Sequence, residues 1–279
     1  MTSRPTKACR MLVLVINLDR ASERLAHMRR EFARIGADFT RLDATDGQMP
    51  GAAGDDLVDA LEGRRLSKGE IACFMSHRRA WQMLVESDES HAVILEDDVF
   101  LGEDVAAFFR SADWFPGAGG IVKLETYLAP TTIGKTSVSS VGDRGLHRLV
   151  GKHLGAGGYA LDRQTAKMLV AASARIDRQV DDFLFDPEGQ VFRQTAVHQV
   201  SPAVCIQGLK LARLRRLDGE RSTFESQLYA ERLATRRRPG LAAKIKREVV
   251  SALSKFAIAV AGRSRNLVGR TTWGRIPFR

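Results

Sequence analysis

Eight residues near the start of the chain constrain its fold more than any others: Met11-Leu12-Val13-Leu14-Val15-Ile16-Asn17-Leu18, apolar but for one asparagine and stopped by Asp19-Arg20. So short a run cannot cross a bilayer, which takes about 20 apolar residues. Nor does it alternate apolar with polar, as a strand with one wet face does. A continuous run of this length fits a strand covered on both faces, as in the parallel sheets of α/β proteins. Basic residues precede it, as in a signal peptide, but no small-residue cleavage site follows, so it reads as a buried strand.

The α/β pattern continues downstream. Leu25, Met28, Phe32 and Ile35 fall three or four apart, with Asp19 or Ser22 placed to cap that helix and Gly36 to stop it. Further strand-like runs occur at Phe39–Asp43, Ala92–Glu96, Ile121–Glu125, Tyr159–Asp162 and Ala203–Gln207. A longer helix opens at Ser67-Lys68-Gly69-Glu70, where Ser and Glu three apart form a capping box, and Ile71, Phe74, Trp81 and Leu84 recur on one side of it. Strands alternating with helices predict an α/β/α sandwich with a mainly parallel sheet, filling residues 1–208. At 44% hydrophobic, the 279 residues can bury a core of that size. The three cysteines, Cys9, Cys73 and Cys205, are widely spaced and form no CxxC pair, which argues against a zinc site or a disulfide framework. Reduced thiols point to the cytoplasm.

Charge divides the chain in two. From Leu209 to Arg279 there are 18 Lys and Arg against 5 Asp and Glu, whereas the first 208 residues carry 25 against 28. The net charge of +10 therefore resides in the last quarter. That stretch, 209–279, reads as a basic helical tail. Leu241, Ile245, Val249, Leu253, Phe256 and Val260 spread over one helical face, with Lys244, Lys246, Arg247 and Lys255 available to the other. Such a helix either lies in an anionic membrane surface or packs, solvated, on the body. Binding nucleic acid is the rival use of a basic segment, but Phe224, Tyr229 and Phe256 are its only aromatics before the last seven residues, with no interleaved stacking pattern. No nucleic-acid partner is expected.

The sharpest chemical feature is Val93-Ile94-Leu95-Glu96-Asp97-Asp98-Val99, an apolar strand ending in three consecutive carboxylates. Open α/β sheets place their ligands at that end of the strands. Two carboxylates 4 Å apart repel by roughly 4 kcal/mol at an effective dielectric near 20, so convergence calls for a cation such as Mg²⁺ or Mn²⁺. The alternative is an acidic turn splayed into water. His77 reads as either a core histidine or a site residue, and Asp181-Asp182 as either a general base or a helix cap. Gly155-Ala156-Gly157-Gly158 precedes a strand, so it is a loop permitting close backbone approach rather than a dinucleotide fingerprint.

Taken together, several segments resemble glycosyltransferase family 25, the lipo-oligosaccharide and collagen galactosyltransferases, over Leu12 to Gln207. The blocks are Val15-Ile16-Asn17-Leu18-Asp19-Arg20 with Arg24, Leu66 through His77 with Trp81, Glu96-Asp97-Asp98, Val122 through Thr126, Gly157-Gly158-Tyr159-Ala160, Val180-Asp181, and Ser201 through Gln207. The resemblance implies a GT-A, Rossmann-like fold and a metal-dependent inverting transfer of galactose from UDP-galactose to a hydroxyl of a cell-surface glycan. On that parallel Glu96 and Asp98 hold Mn²⁺ or Mg²⁺. Asp97, Asn17, Arg20, Arg24 and Asp43 lie near the nucleotide, and Asp181 is the base, with Glu125 as second candidate and His77 beside them. A lipid-linked acceptor at the inner face of the cytoplasmic membrane would suit a membrane-binding tail. A metal-dependent phospho- or nucleotidyltransferase using the same acidic strand end is the rival enzyme.

Overall fold

The computed structural model describes residues 10–49, 66–215 and 269–279. In chain order the elements are β1 (Met11–Asn17), α1 (Ser22–Ile35), β2 (Thr40–Asp43), α2 (Lys68–Glu86), β3 (His91–Glu96), β4 (Val99–Leu101), α3 (Ala106–Arg110), β5 (Ile121–Lys123), β6 (Pro130–Val141), β7 (Arg144–Leu149), β8 (Gly158–Asp162), α4 (Arg163–Ala172), α5 (Val180–Phe185), α6 (Gln190–Gln194), β9 (Val197–Ser201), β10 (Cys205–Gln207), α7 (Gly208–Arg215) and β11 (Thr271–Arg275). Nine strands form one sheet in the order β11-β6-β7-β9-β5-β8-β3-β1-β2, and β4 pairs with β10 in a separate antiparallel ribbon. Strands β2, β1, β3, β5, β9 and β6 run one way, and β8, β7 and β11 the other. The sheet is thus mixed, with most strands in one direction and β8 inserted antiparallel between β3 and β5.

The unbroken apolar character of β1 has its cause in the two layers around it. Leu14 and Ile16 face Phe74, Trp81 and Leu84 of α2, while Val13 and Val15 face Met28 and Phe32 of α1. Strand β3 repeats the division, with Ala92 and Ile94 on the α2 side and Val93 and Leu95 on the α1 side. Helices α4 and α5 join the first layer through Leu169 and Phe183, and α3 the second through Phe108 and Phe109. This is the α/β/α sandwich that the alternation predicts.

Helix ends follow local chemistry at two of the three expected points. Ser67 Oγ accepts the Glu70 N–H at 3.2 Å and Glu70 returns the contact to the Ser67 N–H at 2.9 Å, a complete capping box. Gly36 ends α1 in the left-handed region, at φ 62°. The start of α1 differs from expectation: its cap is Ala21, and neither Asp19 nor Ser22 supplies a side-chain bond.

The end of the chain is a correction to the helical-tail reading. Residues Thr271–Arg275 form β11, antiparallel to β6 at the sheet edge. Beyond it Ile276 is buried, and the Pro277 carbonyl accepts the Ala203 N–H at 2.7 Å. The buried Arg144 guanidinium donates to the carbonyls of Pro202, Ala203 and Arg279. Thr-Thr-Trp favours an extended backbone, and β6 offers it an open edge. The stripe from Leu241 to Val260 lies outside the described residues. No helix among the described residues is long and apolar enough to cross a membrane.

Candidate active site

Strands β1 and β3 lie side by side and parallel, so Asn17 and Glu96 end at the same edge of the sheet. A cleft of about 750 Å³ opens there, bounded by the first turns of α2 and the loop after β2, with Arg20, Arg24, Asp46, Cys73, His77, Glu96, Asp97 and Asp98 in its walls. Ligands of open α/β sheets bind at this carboxyl edge.

The pleat separates the three carboxylates. Glu96 continues the side of Ile94 and faces α2, where His77 Nε2 lies 3.3 Å and Cys73 Sγ 3.8 Å from its Oε1. Gln207, on β10, donates to Oε2 at 2.9 Å. Asp97, one residue on, faces α1: Asn17 Nδ2 donates to its Oδ2 at 2.7 Å, and Arg24 to its Oδ1 at 3.1 Å. Burial works to raise the pKa of Glu96, but the bonds from His77 and Gln207 outweigh it and hold the group below its ordinary value. Burial wins at Asp97, whose pKa is raised despite Arg24 and Asn17.

Asp98 is the member that keeps an unpartnered oxygen in the cleft wall: its Oδ1 is buried and has no hydrogen-bond partner among the described residues. Burial pushes its pKa well above the ordinary value, and the charges of Glu96 and Asp97 push it further. A buried carboxylate oxygen without a donor, repelled by a neighbouring carboxylate, is what a divalent cation relieves. The donor set of Asp98 and Glu96, hard oxygens both, fits Mn²⁺ or Mg²⁺.

Glu125 lies behind this wall, fully buried on the loop after β5. Its Oε2 accepts the Gly157 N–H at 2.9 Å and stands 3.5 Å from Lys123 Nζ, while Oε1 has no partner among the described residues. Burial raises its pKa to about 7 against the pull of the Lys123 charge. Glycine at 155 (φ +92°) permits this approach, since a Cβ there would stand 2.8 Å from Oε2, and a Cβ on Gly157 would make a tight 3.3 Å contact with Cδ of the same carboxyl.

His77 occupies both of its sequence readings at once. Its ring is buried on α2, with Nδ1 2.9 Å from the Tyr159 hydroxyl, which also receives the Trp81 indole N–H at 2.8 Å. Its other nitrogen reaches Glu96 in the cleft.

The model of glycosyltransferase family 25, described as an LPS biosynthesis protein family, matches residues 11–184, more than half of the chain. The chain belongs to glycosyltransferase family 25. It is 28% identical over 267 residues to the lipooligosaccharide biosynthesis protein lic2B of Haemophilus influenzae, covering 91% of this chain and 92% of that one. To the lacto-N-neotetraose biosynthesis glycosyltransferase LgtB of Neisseria meningitidis serogroup B it is 31% identical over 265 residues, with 87% and 92% covered. The corresponding LgtE of Neisseria gonorrhoeae is 30% identical over 261 residues, with 87% and 89% covered.

In this family 25 glycosyltransferase the expected residues divide into three groups. Arg20, Arg24, His77, Glu96, Asp97 and Asp98 line the cleft together. Asn17 and Glu125 are buried just behind its wall. Asp43 and Asp181 are not brought to it. Asp43 ends β2 facing solvent, paired with Arg41 at 2.7 Å, because Leu42 and Ala44 on either side of it turn toward the α2 layer and the pleat sends Asp43 the other way. Asp181 stands in the first turn of α5, its Oδ1 accepting the Asp182 N–H at 3.0 Å, a local turn contact away from β1 and β3. Two cleft groups, Cys73 and Asp46, and one residue bonded to the cleft carboxylate Glu96, Gln207, escaped the sequence reading as site residues. Cys73 had a signal, four residues before His77 on one helix face. Asp46, which pairs with Arg20, had none, and Gln207, which reaches Glu96, carried one only as the last residue of the block Ser201 through Gln207.

Proposed function

We propose that this glycosyltransferase transfers galactose from UDP-galactose to a hydroxyl of a lipo-oligosaccharide acceptor, with inversion at the anomeric carbon and a divalent cation in the cleft. The observation that carries the reading is the Asp98 carboxylate oxygen, buried in the cleft wall without a partner among the described residues. Asp98 and Glu96 would hold Mn²⁺ or Mg²⁺, and the ion supplies charge neutralisation to the departing diphosphate. Arg20 and Arg24 in the same cleft add positive charge suited to phosphate oxygens. Asp97 acts on Arg24, holding its guanidinium at 3.1 Å. His77 and Gln207 keep Glu96 ionised and oriented, which makes His77 a positioning residue.

The attacking hydroxyl gives its proton to a carboxylate during in-line displacement. Glu125 suits that role better than Asp181: burial raises its pKa to about 7 and it keeps an oxygen without a partner among the described residues, whereas Asp181 is not among the residues lining the cleft. The lipo-oligosaccharide acceptor is supported by relatives matched along nearly their whole length. The basic segment from Leu209 onward supports work at an anionic leaflet, where each Lys or Arg contributes about 1 kcal/mol.

Donor hydrolysis by the purified chain tests the reading, run across a panel of nucleotide sugars with Mn²⁺ or EDTA. Expected is UDP release from UDP-galactose that EDTA abolishes and that Asp98→Asn lowers by at least about 100-fold. Release that ignores both EDTA and Asp98→Asn removes the metal from the mechanism, and release from a different sugar replaces the donor.

A further inference from the structure

We propose a second kind of metal site in this chain, one for a thiophilic divalent ion such as Zn²⁺, formed by Cys73 Sγ, His77 Nε2 and Glu96 Oε1. Cys73 and His77 lie four apart on α2, so their side chains stand on one face of the helix, the face that meets the end of β3. The three ligand atoms all lie within 4.8 Å of one another.

Their spacing fits the ion. Zinc bonded tetrahedrally, at about 2.3 Å to sulfur and about 2.0–2.1 Å to nitrogen and oxygen, has a sulfur–oxygen edge of about 3.6 Å and a nitrogen–oxygen edge of about 3.4 Å. The corresponding separations here are 3.8 Å and 3.3 Å. The Oε1 corner therefore stands at near-tetrahedral spacing from both the sulfur and the nitrogen before any ion arrives, and the sulfur and nitrogen lie within 4.8 Å of each other. All three residues line the cleft, which leaves the fourth corner to water or to an oxygen of a bound substrate.

The surrounding groups are those that orient metal ligands. The Tyr159 hydroxyl, itself held by Trp81, lies 2.9 Å from the far nitrogen of His77. Gln207 holds the second oxygen of Glu96 at 2.9 Å. Outer bonds of this kind set the orientation of an imidazole or carboxylate toward its metal. Sulfur and nitrogen ligands select Zn²⁺ over Mn²⁺ or Mg²⁺, which prefer oxygen. Binding displaces the thiol proton of Cys73 to solvent. It also engages Glu96, so Zn²⁺ and the cation of the transfer reaction compete through one carboxylate, and Zn²⁺ inhibits transfer. That consequence rests on the function proposed above, whereas the site itself does not.

The test needs no sugar donor. The full chain carrying Cys9→Ser is titrated with Co²⁺ as an optical probe and then with Zn²⁺ against a chromophoric chelator. Expected is one equivalent of Co²⁺ with a thiolate-to-cobalt charge-transfer band that one equivalent of Zn²⁺ displaces. Cys73→Ser, at a half-buried position, should abolish the band and weaken Zn²⁺ binding at least about tenfold. Its far-ultraviolet circular dichroism should match that of the parent, and His77→Gln should weaken binding similarly. A parent chain with no thiolate band overturns the site, as does a band that survives Cys73→Ser in folded protein.

Discussion

His153 accepts the Tyr127 backbone N–H at its Nε2 (3.3 Å), which leaves Nδ1–H to donate to Gln199 Oε1 at 2.9 Å. A proton on Nε2 would break the first bond at a buried position. Burial, with the Lys123 charge adding to it, lowers the pKa of His153 to about 3. The unfolded chain takes up that proton near pH 6.5 and the folded chain does not. Stability from neutral His153 is therefore complete above pH 6.5 and declines as pH falls toward 3. His198, lowered to about 4 by burial and Arg148, acts in the same direction. Glu125, raised to about 7, acts in the opposite one, adding stability as pH falls from 7 toward its unfolded value. Urea denaturation at pH 7 and pH 5 isolates the histidine: His153→Gln should lose about 2 kcal/mol less than the parent between the two. Equal losses would assign the acid sensitivity elsewhere.

At the scale of elements, α2 is where stability and site geometry meet. The helix begins at the Ser67 cap and carries both Cys73 and His77. Ser67→Ala removes the acceptor for the Glu70 N–H, and equilibrium unfolding should report a loss of about 1 kcal/mol. A loss below a few tenths would mean that Glu70, which also contacts Gln179, secures the helix start alone. The six strands legible in the sequence are those with apolar runs. The hairpin β6–β7 is rich in Ser, Thr and Arg and half solvated, so it lacks such a run. Its signal was the turn: Gly142, at φ 58°, and Asp143 form a two-residue loop between Val141 and Arg144, which pair. Strand β9 carries His198 and Gln199 at buried positions, and polar residues of that kind conceal a strand from any hydropathy pattern.

For the whole molecule, the return of the chain end onto the sheet is the contact of greatest consequence. Residues 269–279 cover the β6 edge, bury Ile276 and give carbonyl partners to Thr126, Ala203 and Arg144. Thr126 follows Glu125 directly, so the returning segment braces the loop that holds that carboxyl. Ending the chain at residue 268 would uncover a sheet edge and remove the Arg279 carbonyl, one of three acceptors of the buried Arg144 guanidinium, a hydrogen bond to a charged group worth about 1.5–3 kcal/mol. Thermal melts should show a large drop or no cooperative transition. A truncated chain melting within a degree or two of the full one would make the segment an accessory.

What the sequence by itself determined were properties of neighbours along the chain. The two-faced apolar run of β1, the capping box of α2, the glycine stop of α1 and the acidic end of β3 all arise from residues a few positions apart. The family's ordered blocks place the chemistry at the same strand end. Only the tertiary structure decided how that chemistry is divided. The pleat sends Glu96 to α2 and Asp97 to α1 and turns Asp43 into solvent, and the chain path leaves Asp181 on a separate helix. Burial, a sum over elements distant in sequence, makes Asp98 and Glu125 difficult to ionise. The meeting of Cys73 and His77 with Glu96 depends on where a helix crosses a strand, and no local pattern records that crossing.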